Sequence, residues 1–201
     1  MKNFFKDGFD TIIKLVVSQL GMTMFGIMVT MATRIVPKFM KQERNVLSLI
    51  VSIFSVIFYL FLLYIHIWNK GGNDRIMVDG RRAEHIPLKG LYLSLVANAL
   101  NIILAIIMCA TYYFCDFPEG VEMLPATLPN QIFGAANDLA RIIQGMYIGI
   151  LLYISPNAVS LNPFIYFAII IPSLLTCTIG YSLGFNNVKM FGTSASKKKN
   201  K

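Results

Sequence analysis

NVLSLIVSIFSVIFYLFLLYIHIW, residues 45–68, is the stretch that decides the fold. From Val46 it runs for 23 residues without a formal charge. At about 1.5 Å per residue, a helix of that length crosses the roughly 30 Å hydrocarbon core of a bilayer. Tyr64 and Trp68 near its end supply the aromatic belt of a membrane interface. Ser48, Ser52 and Ser55 recur on one helical face and predict a seam against another helix.

The rest of the chain has the same character. Of its 201 residues, 56% are hydrophobic and 14% charged, and the mean hydropathy is +0.62. Soluble domains carry about 25% charge, and here the charges gather between apolar runs. The composition gives an all-α integral membrane protein, a bundle of about five apolar helices, four or five of them spanning. Residues 1–192 read as a single polytopic membrane domain and 193–201 as a disordered basic tail.

Before the deciding stretch, MKNFFKDGFDTIIK is basic and aromatic and suits an interfacial lead-in. The apolar run that follows is too long for a signal h-region and lacks an A-x-A-like cleavage site, so it reads as a retained span over about 15–36. Ser18, Gln19, Thr23, Thr30 and Thr33 should turn it toward the bundle interior, with Gly21 and Gly26 admitting a close neighbour. A basic loop over 34–44 separates it from the second span.

After the deciding stretch comes NKGGNDRIMVDGRRAEHIPLK, residues 69–89. This reads as a loop, the largest basic surface the chain can offer to water. It carries Lys70, Arg75, Arg81, Arg82 and Lys89, five of the 18 Lys and Arg residues. Asp79-Gly80 signals a tight hairpin turn within it, and Asp74, Asp79 and Glu84 dilute its charge.

A third span over about 91–114 places Asn98 and Asn101 three apart on one face. DFPEGVEMLPATLPN, residues 116–130, is a proline-rich acidic linker. A fourth helix over 131–154 begins polar, with Asn137, Asp138, Arg141 and Gln144, and ends apolar. A fifth over 164–185 contains Pro172. Gly145, Gly149, Gly180 and Gly184 form GxxxG pairs in these last two helices. They predict a close hairpin between the two, or a seam for an oligomer.

Threading follows from the positive-inside rule. With five spans, neither orientation collects more basic residues in the cytoplasm. If one of the last two helices fails to cross, the N-terminus, the 69–89 loop and the tail share one side. Thirteen basic residues then lie inside and four outside. The 131–154 helix is the expected non-spanning one, because Asp138 and Arg141 sit in its first half. The protein is therefore expected in the cell membrane as a multi-pass protein, with loop 69–89 and the tail cytoplasmic.

Chemical motifs are sparse. The formal net charge of +8 flanks apolar runs, which is a topology pattern, so no nucleic acid partner is expected. Cys109, Cys115 and Cys177 have no CxxC spacing, and His66 and His85 no HExxH, so neither a metal nor another cofactor is expected. Asp79-Gly80-Arg81-Arg82-Ala83 is similar to the opening of the DG-x-x-AR signature of CDP-alcohol phosphotransferases. However, Glu84 stands where the arginine should be, and no spaced aspartates follow to hold Mg2+. No catalytic set is found.

Five phrases, Gln19-Leu20-Gly21, the run 58–64, the run 73–80, Pro87-Leu88-Lys89-Gly90-Leu91 and Gly180-Tyr181-Ser182-Leu183-Gly184, resemble small uncharacterised membrane proteins of Gram-positive anaerobic bacteria. The resemblance implies a polytopic membrane fold and carries no activity.

Two functions remain in view. The first is a non-enzymatic membrane component that docks a membrane or cytoplasmic protein partner, or anionic lipid, through loop 69–89. The second is the membrane subunit of a transporter, a substrate-binding or permease-like module. The transporter would use the intramembrane polar residues Gln19, Asn98, Asn101, Asp138, Arg141 and Gln144.

Overall fold

A computed structural model describes residues 2–33, 41–115, 127–154 and 162–188, without the side chains of 2–7, 33 and 41–45. The turn at 155–161, the basic tail at 193–201, and most of the basic loop and acidic linker lie outside the described residues. The described elements are helical: α1 (Lys2–Thr33), α2 (Lys41–Asp79), α3 (Lys89–Ala97), α4 (Ala99–Tyr112), α5 (Leu128–Ile143), α6 (Ile148–Ile154) and α7 (Phe164–Phe185). A single 3-10 turn, Gly145–Tyr147, joins α5 to α6.

Three helices, Gly8–Ala32, Val46–Asp79 and Phe164–Phe185, are continuous, long and apolar enough to cross a membrane. The pair α3–α4 would make a fourth, bent by 62° at Asn98. Against the expected four or five spans, the described residues hold three continuous helices of spanning length. The segment expected as one helix over 131–154 is divided at Gln144 into two pieces, each shorter than a span.

The helices are inverted relative to those of a soluble bundle. Along α1, Thr11, Gln19, Thr23 and Thr30 are buried, while Val17, Met24 and Met28 face outward. On α2 the buried stripe is Ser48, Ser52, Ser55, Tyr59, Leu63, Ile67, Gly71 and Asp74, and Ile50, Phe54 and Ile57 are exposed. Polar and small groups inside with apolar ones outside is the arrangement that lipid favours.

α2 is the central post. At 39 residues it is about 58 Å long, so its last turns outrun the hydrocarbon core. Residues 69–79 are therefore helix, and the expected loop shrinks to 80–88. Nor does Asp79-Gly80 turn a hairpin. Asp79 ends α2, and Arg81 N–H and Arg82 N–H donate back to the carbonyls of Val78 (2.9 Å) and Met77 (2.9 Å). That is a Schellman end with Arg81 in the left-handed region at φ 55°. α7 ends the same way, with Asn187 at φ 55°.

Glycines set the helix approaches, although not as expected. A Cβ on Gly184 would strike the Trp68 carbonyl, and one on Gly149 the Ser48 carbonyl, both on α2. A Cβ on Gly145 would meet Ile27 of α1, and one on Gly180 would meet Ile67 of α2. The two GxxxG pairs pack against α1 and α2, so the expected α6–α7 glycine hairpin is replaced by two separate seams.

Close approaches also fix direction. Gly8 lies against Leu93, Gly71 against the Tyr181 carbonyl, and Gly90 against the Cys177 carbonyl. The N-terminal ends of α1 and α3 and the C-terminal ends of α2 and α7 therefore share one end of the bundle.

Candidate functional site

Two polar clusters lie inside this apolar bundle. The first is at the shared end. Asp74, 5% exposed, accepts from Lys70 Nζ at 3.0 Å, Lys89 Nζ at 2.7 Å and the Tyr181 hydroxyl at 3.0 Å. One carboxylate thus joins α2, α3 and α7. Lys70 and Lys89, expected as loop cations, instead turn inward as partners of this ion cluster, Lys89 buried and Lys70 mostly covered. Arg75 pairs with Asp79 at 3.5 Å on the surface, and Arg81 and Arg82 are exposed. The loop is held down by His85, whose ring lies 4.3 Å from that of Phe185. Trp68 Nε1–H donates to the Val188 carbonyl at 2.9 Å.

The second cluster sits midway along the bundle, where both broken helices meet. At the α3–α4 break the Ser94 carbonyl receives the Asn98 N–H at 2.9 Å and the Asn98 Nδ2 at 3.0 Å. An asparagine that competes for the preceding turn's carbonyl loosens the helical ladder, and the chain bends there. At the α5–α6 break the freed backbone groups find partners on neighbouring helices. Thr23 of α1 donates to the Ile143 carbonyl at 2.6 Å, and Gly149 N–H donates to Ser52 Oγ of α2 at 2.8 Å. Without such partners, each freed group would cost about 1–3 kcal/mol in a buried site.

Between the breaks lies a small pocket lined by Gln19, Tyr59, Asn98, Asn101, Gln144, Met146, Tyr147, Ile169, Ile170 and Ser173. It is half open and has room for about one water. Four of the six intramembrane polar residues singled out in the sequence meet here: Gln19, Asn98, Asn101 and Gln144. The other two do not. Asp138 is exposed and Arg141 half-buried, and the buried Tyr166 hydroxyl donates to Asn137 Oδ1 at 2.7 Å.

The cavity's hydrogen bonding is one-sided. Asn98 spends its Nδ2 on the Ser94 carbonyl, and Asn101 spends its own on Asn98 Oδ1 at 3.1 Å. The carbonyl anchor at Ser94 fixes both amide orientations, since flipping either would set oxygen against oxygen. Asn101 Oδ1, Gln144 Oε1 and the Tyr147 hydroxyl are left buried without a protein partner. Among the described residues no cluster of His, Cys, Asp and Glu could hold a metal ion, and Cys109, Cys115 and Cys177 are not joined in disulfides.

Sequence reading missed Tyr59, Tyr147 and Ser173, which look like ordinary aromatic and small residues within apolar runs. It also missed Asp74, although the i,i+4 spacing from Lys70 was available as a signal. No protein-family model, curated protein or solved structure matches the chain.

Proposed function

We propose that the chain is a permease-like membrane module that binds a small ligand in the cavity between its two broken helices. One observation carries this reading: three buried oxygens, Asn101 Oδ1, Gln144 Oε1 and the Tyr147 hydroxyl, have no protein partner. They belong to residues lining a cavity where two helices are interrupted. Interrupted helices meeting at a polar pocket are how transporters expose backbone and side-chain dipoles to a solute within the membrane. In this reading the bent α3–α4 pair is the fourth crossing and α5–α6 turns back. The shared end that holds loop 80–88 and the close of α7 faces the cytoplasm of a cell membrane, as the thirteen-to-four division of basic residues favours.

The test exploits the difference between a polar group kept for folding and one kept for a ligand. Tyr147→Phe and Gln144→Met remove unpartnered oxygens at nearly constant volume. They should leave the apparent Tm of the purified protein unchanged or raise it by a few degrees, about 2–4 °C per kcal/mol gained. A fall of about 5 °C or more in both variants would make the cluster a structural network and end the reading.

A second reading keeps the chain as a non-enzymatic component that docks a protein partner or anionic lipid. What favours it is the exposure of Arg81 and Arg82 on loop 80–88, with Lys70 and Lys89 withdrawn to Asp74. Replacing both arginines with Gln would abolish partner recovery under this reading and leave it untouched under the first.

A further inference from the structure

We infer that the outward face of α5 around Asp138 docks a membrane-spanning helix of a second protein, one with a lysine or arginine inside its apolar span. The inference rests on the permease-like reading for the fourth crossing by α3–α4 alone. The cavity plays no part, since Asp138 does not line it. Depth comes first. Phe133, early in α5, has its ring 6.1 Å from that of Tyr112, the last residue of α4. Gln144, just past the end of α5, reaches the cavity beside Asn98 and Asn101. α5 therefore runs inward along α4, from the end of the bundle opposite Asp74 to its middle. Asp138 stands six residues, about 9 Å, short of that middle. That depth is within the roughly 15 Å half-thickness of a hydrocarbon core.

The surroundings of Asp138 are those of lipid. It is exposed, and so are Ile132, Ala135, Leu139 and Ile142 on the same face of α5. Arg141, three residues on, is half-buried, and among the described residues no ion pair joins Asp138 to a cation. A carboxylate among lipid-facing side chains is costly until a counter-charge meets it. Gly134, one turn earlier, has nothing within 4 Å of its Cβ position, so the surface beside Asp138 is low enough to admit a helix backbone. Charge then selects the occupant. A second copy meeting this face across a two-fold axis along the membrane normal would set Asp138 against Asp138 at one depth, like charge against like. Apart from Arg141, the cations whose side chains are described, Lys14, Lys70, Arg75, Arg81, Arg82 and Lys89, lie in the half of the bundle that holds Asp74. A copy in the same orientation keeps them there, so the counter-charge comes from another chain.

The experiment reconstitutes the affinity-tagged full chain in phosphatidylcholine vesicles with a biotinylated polyleucine spanning peptide. Three peptides are compared: all leucine, one lysine midway, and one glutamate midway. After mild solubilisation and capture of the chain, the lysine peptide should be recovered about tenfold over the all-leucine one. The glutamate peptide should be recovered no better than the all-leucine one. Asp138→Asn, nearly isosteric and on an exposed position, should keep the parental Tm and lose the preference, whereas Asp138→Glu should retain it. Equal recovery of the lysine and all-leucine peptides by the parent overturns the inference, as does an undiminished preference in Asp138→Asn. If Asp138→Asn lowers the Tm, the parent's choice between the lysine and glutamate peptides decides, and equal recovery of those two overturns the inference. None of these outcomes bears on the cavity, so this docking face and the permease-like reading fail separately.

Discussion

Asp74 is where a single side chain holds the most structure. It is buried at the meeting of α2, α3 and α7 and receives two ammonium groups and a phenol. Removing one partner from a buried ion cluster costs about 3–5 kcal/mol, because the charges left behind have lost their counter-charge. Asp74→Ala should therefore lower the apparent Tm sharply or abolish recovery of folded protein. Tyr181→Phe, which loses one hydrogen bond to a carboxylate, should cost about 1.5–3 kcal/mol. Arg75→Gln, on an exposed i,i+4 pair, should move stability by less than about 1 kcal/mol. Equal losses across the three, followed by thermal unfolding in detergent, would deny Asp74 its central place. Little of this was legible in the sequence. Lys70, Asp74 and Lys89 sit in a polar stretch, and polarity alone cannot say whether charges face water or one another. Gln19, Asn98, Asn101 and Gln144 were legible because each interrupts an apolar run, where an amide needs a partner.

α2 shows why helix boundaries were harder to read than helix existence. Its apolar run from Val46 was evident, but Gly71-Gly72-Asn73 looks like a stop signal, each glycine costing about 1 kcal/mol within a helix. Tertiary contact overrides that cost. The Tyr181 carbonyl lies 2.5 Å from where a Gly71 Cβ would stand, so only glycine lets α7 come this close, and Asp74 closes the ion cluster one turn later. The same distinction grades the other glycines. Gly149→Ala and Gly184→Ala drive a Cβ onto backbone carbonyls of α2, whereas at Gly180 the nearest atom is a methyl of the Ile67 side chain, farther off at 2.9 Å. Nothing lies within 4 Å of the Cβ position at Gly21 or Gly134. Thermal unfolding of the five alanine variants should show large losses at Gly149 and Gly184 and a smaller one at Gly180. Gly21 and Gly134 should show no loss, or a gain of up to about 1 kcal/mol from helix propensity. A uniform response would mean that close approach is not what these glycines supply. The GxxxG spacing announced close packing but not its partner, because spacing on one helix carries no information about which neighbour fills the groove.

On the scale of the molecule, four helix ends gather at one end of the bundle and two broken helices meet at its middle. The end is locked by charge and by two Schellman turns. The middle is left with unpartnered oxygens around a small cavity. Composition alone made the membrane class legible, since apolar residues face outward along every long helix. The breaks were not legible as breaks, because Asn98 and Gln144 create them only together with Ser94, Thr23 and Ser52, which supply or accept the hydrogen bonds there. The central claim is that this cavity is a site reached from water and not a sealed core. It can be tested by thiol access in a background lacking Cys109, Cys115 and Cys177. Ser173→Cys, buried and lining the cavity, is to be compared with exposed Arg81→Cys and with lipid-facing Ile57→Cys, whose native residue is 62% exposed. With a small water-soluble methanethiosulfonate, the account predicts rapid modification at Arg81→Cys, slower but complete modification at Ser173→Cys, and none at Ile57→Cys. A thiol at position 173 that stays as unreactive as the one at position 57 would contradict it.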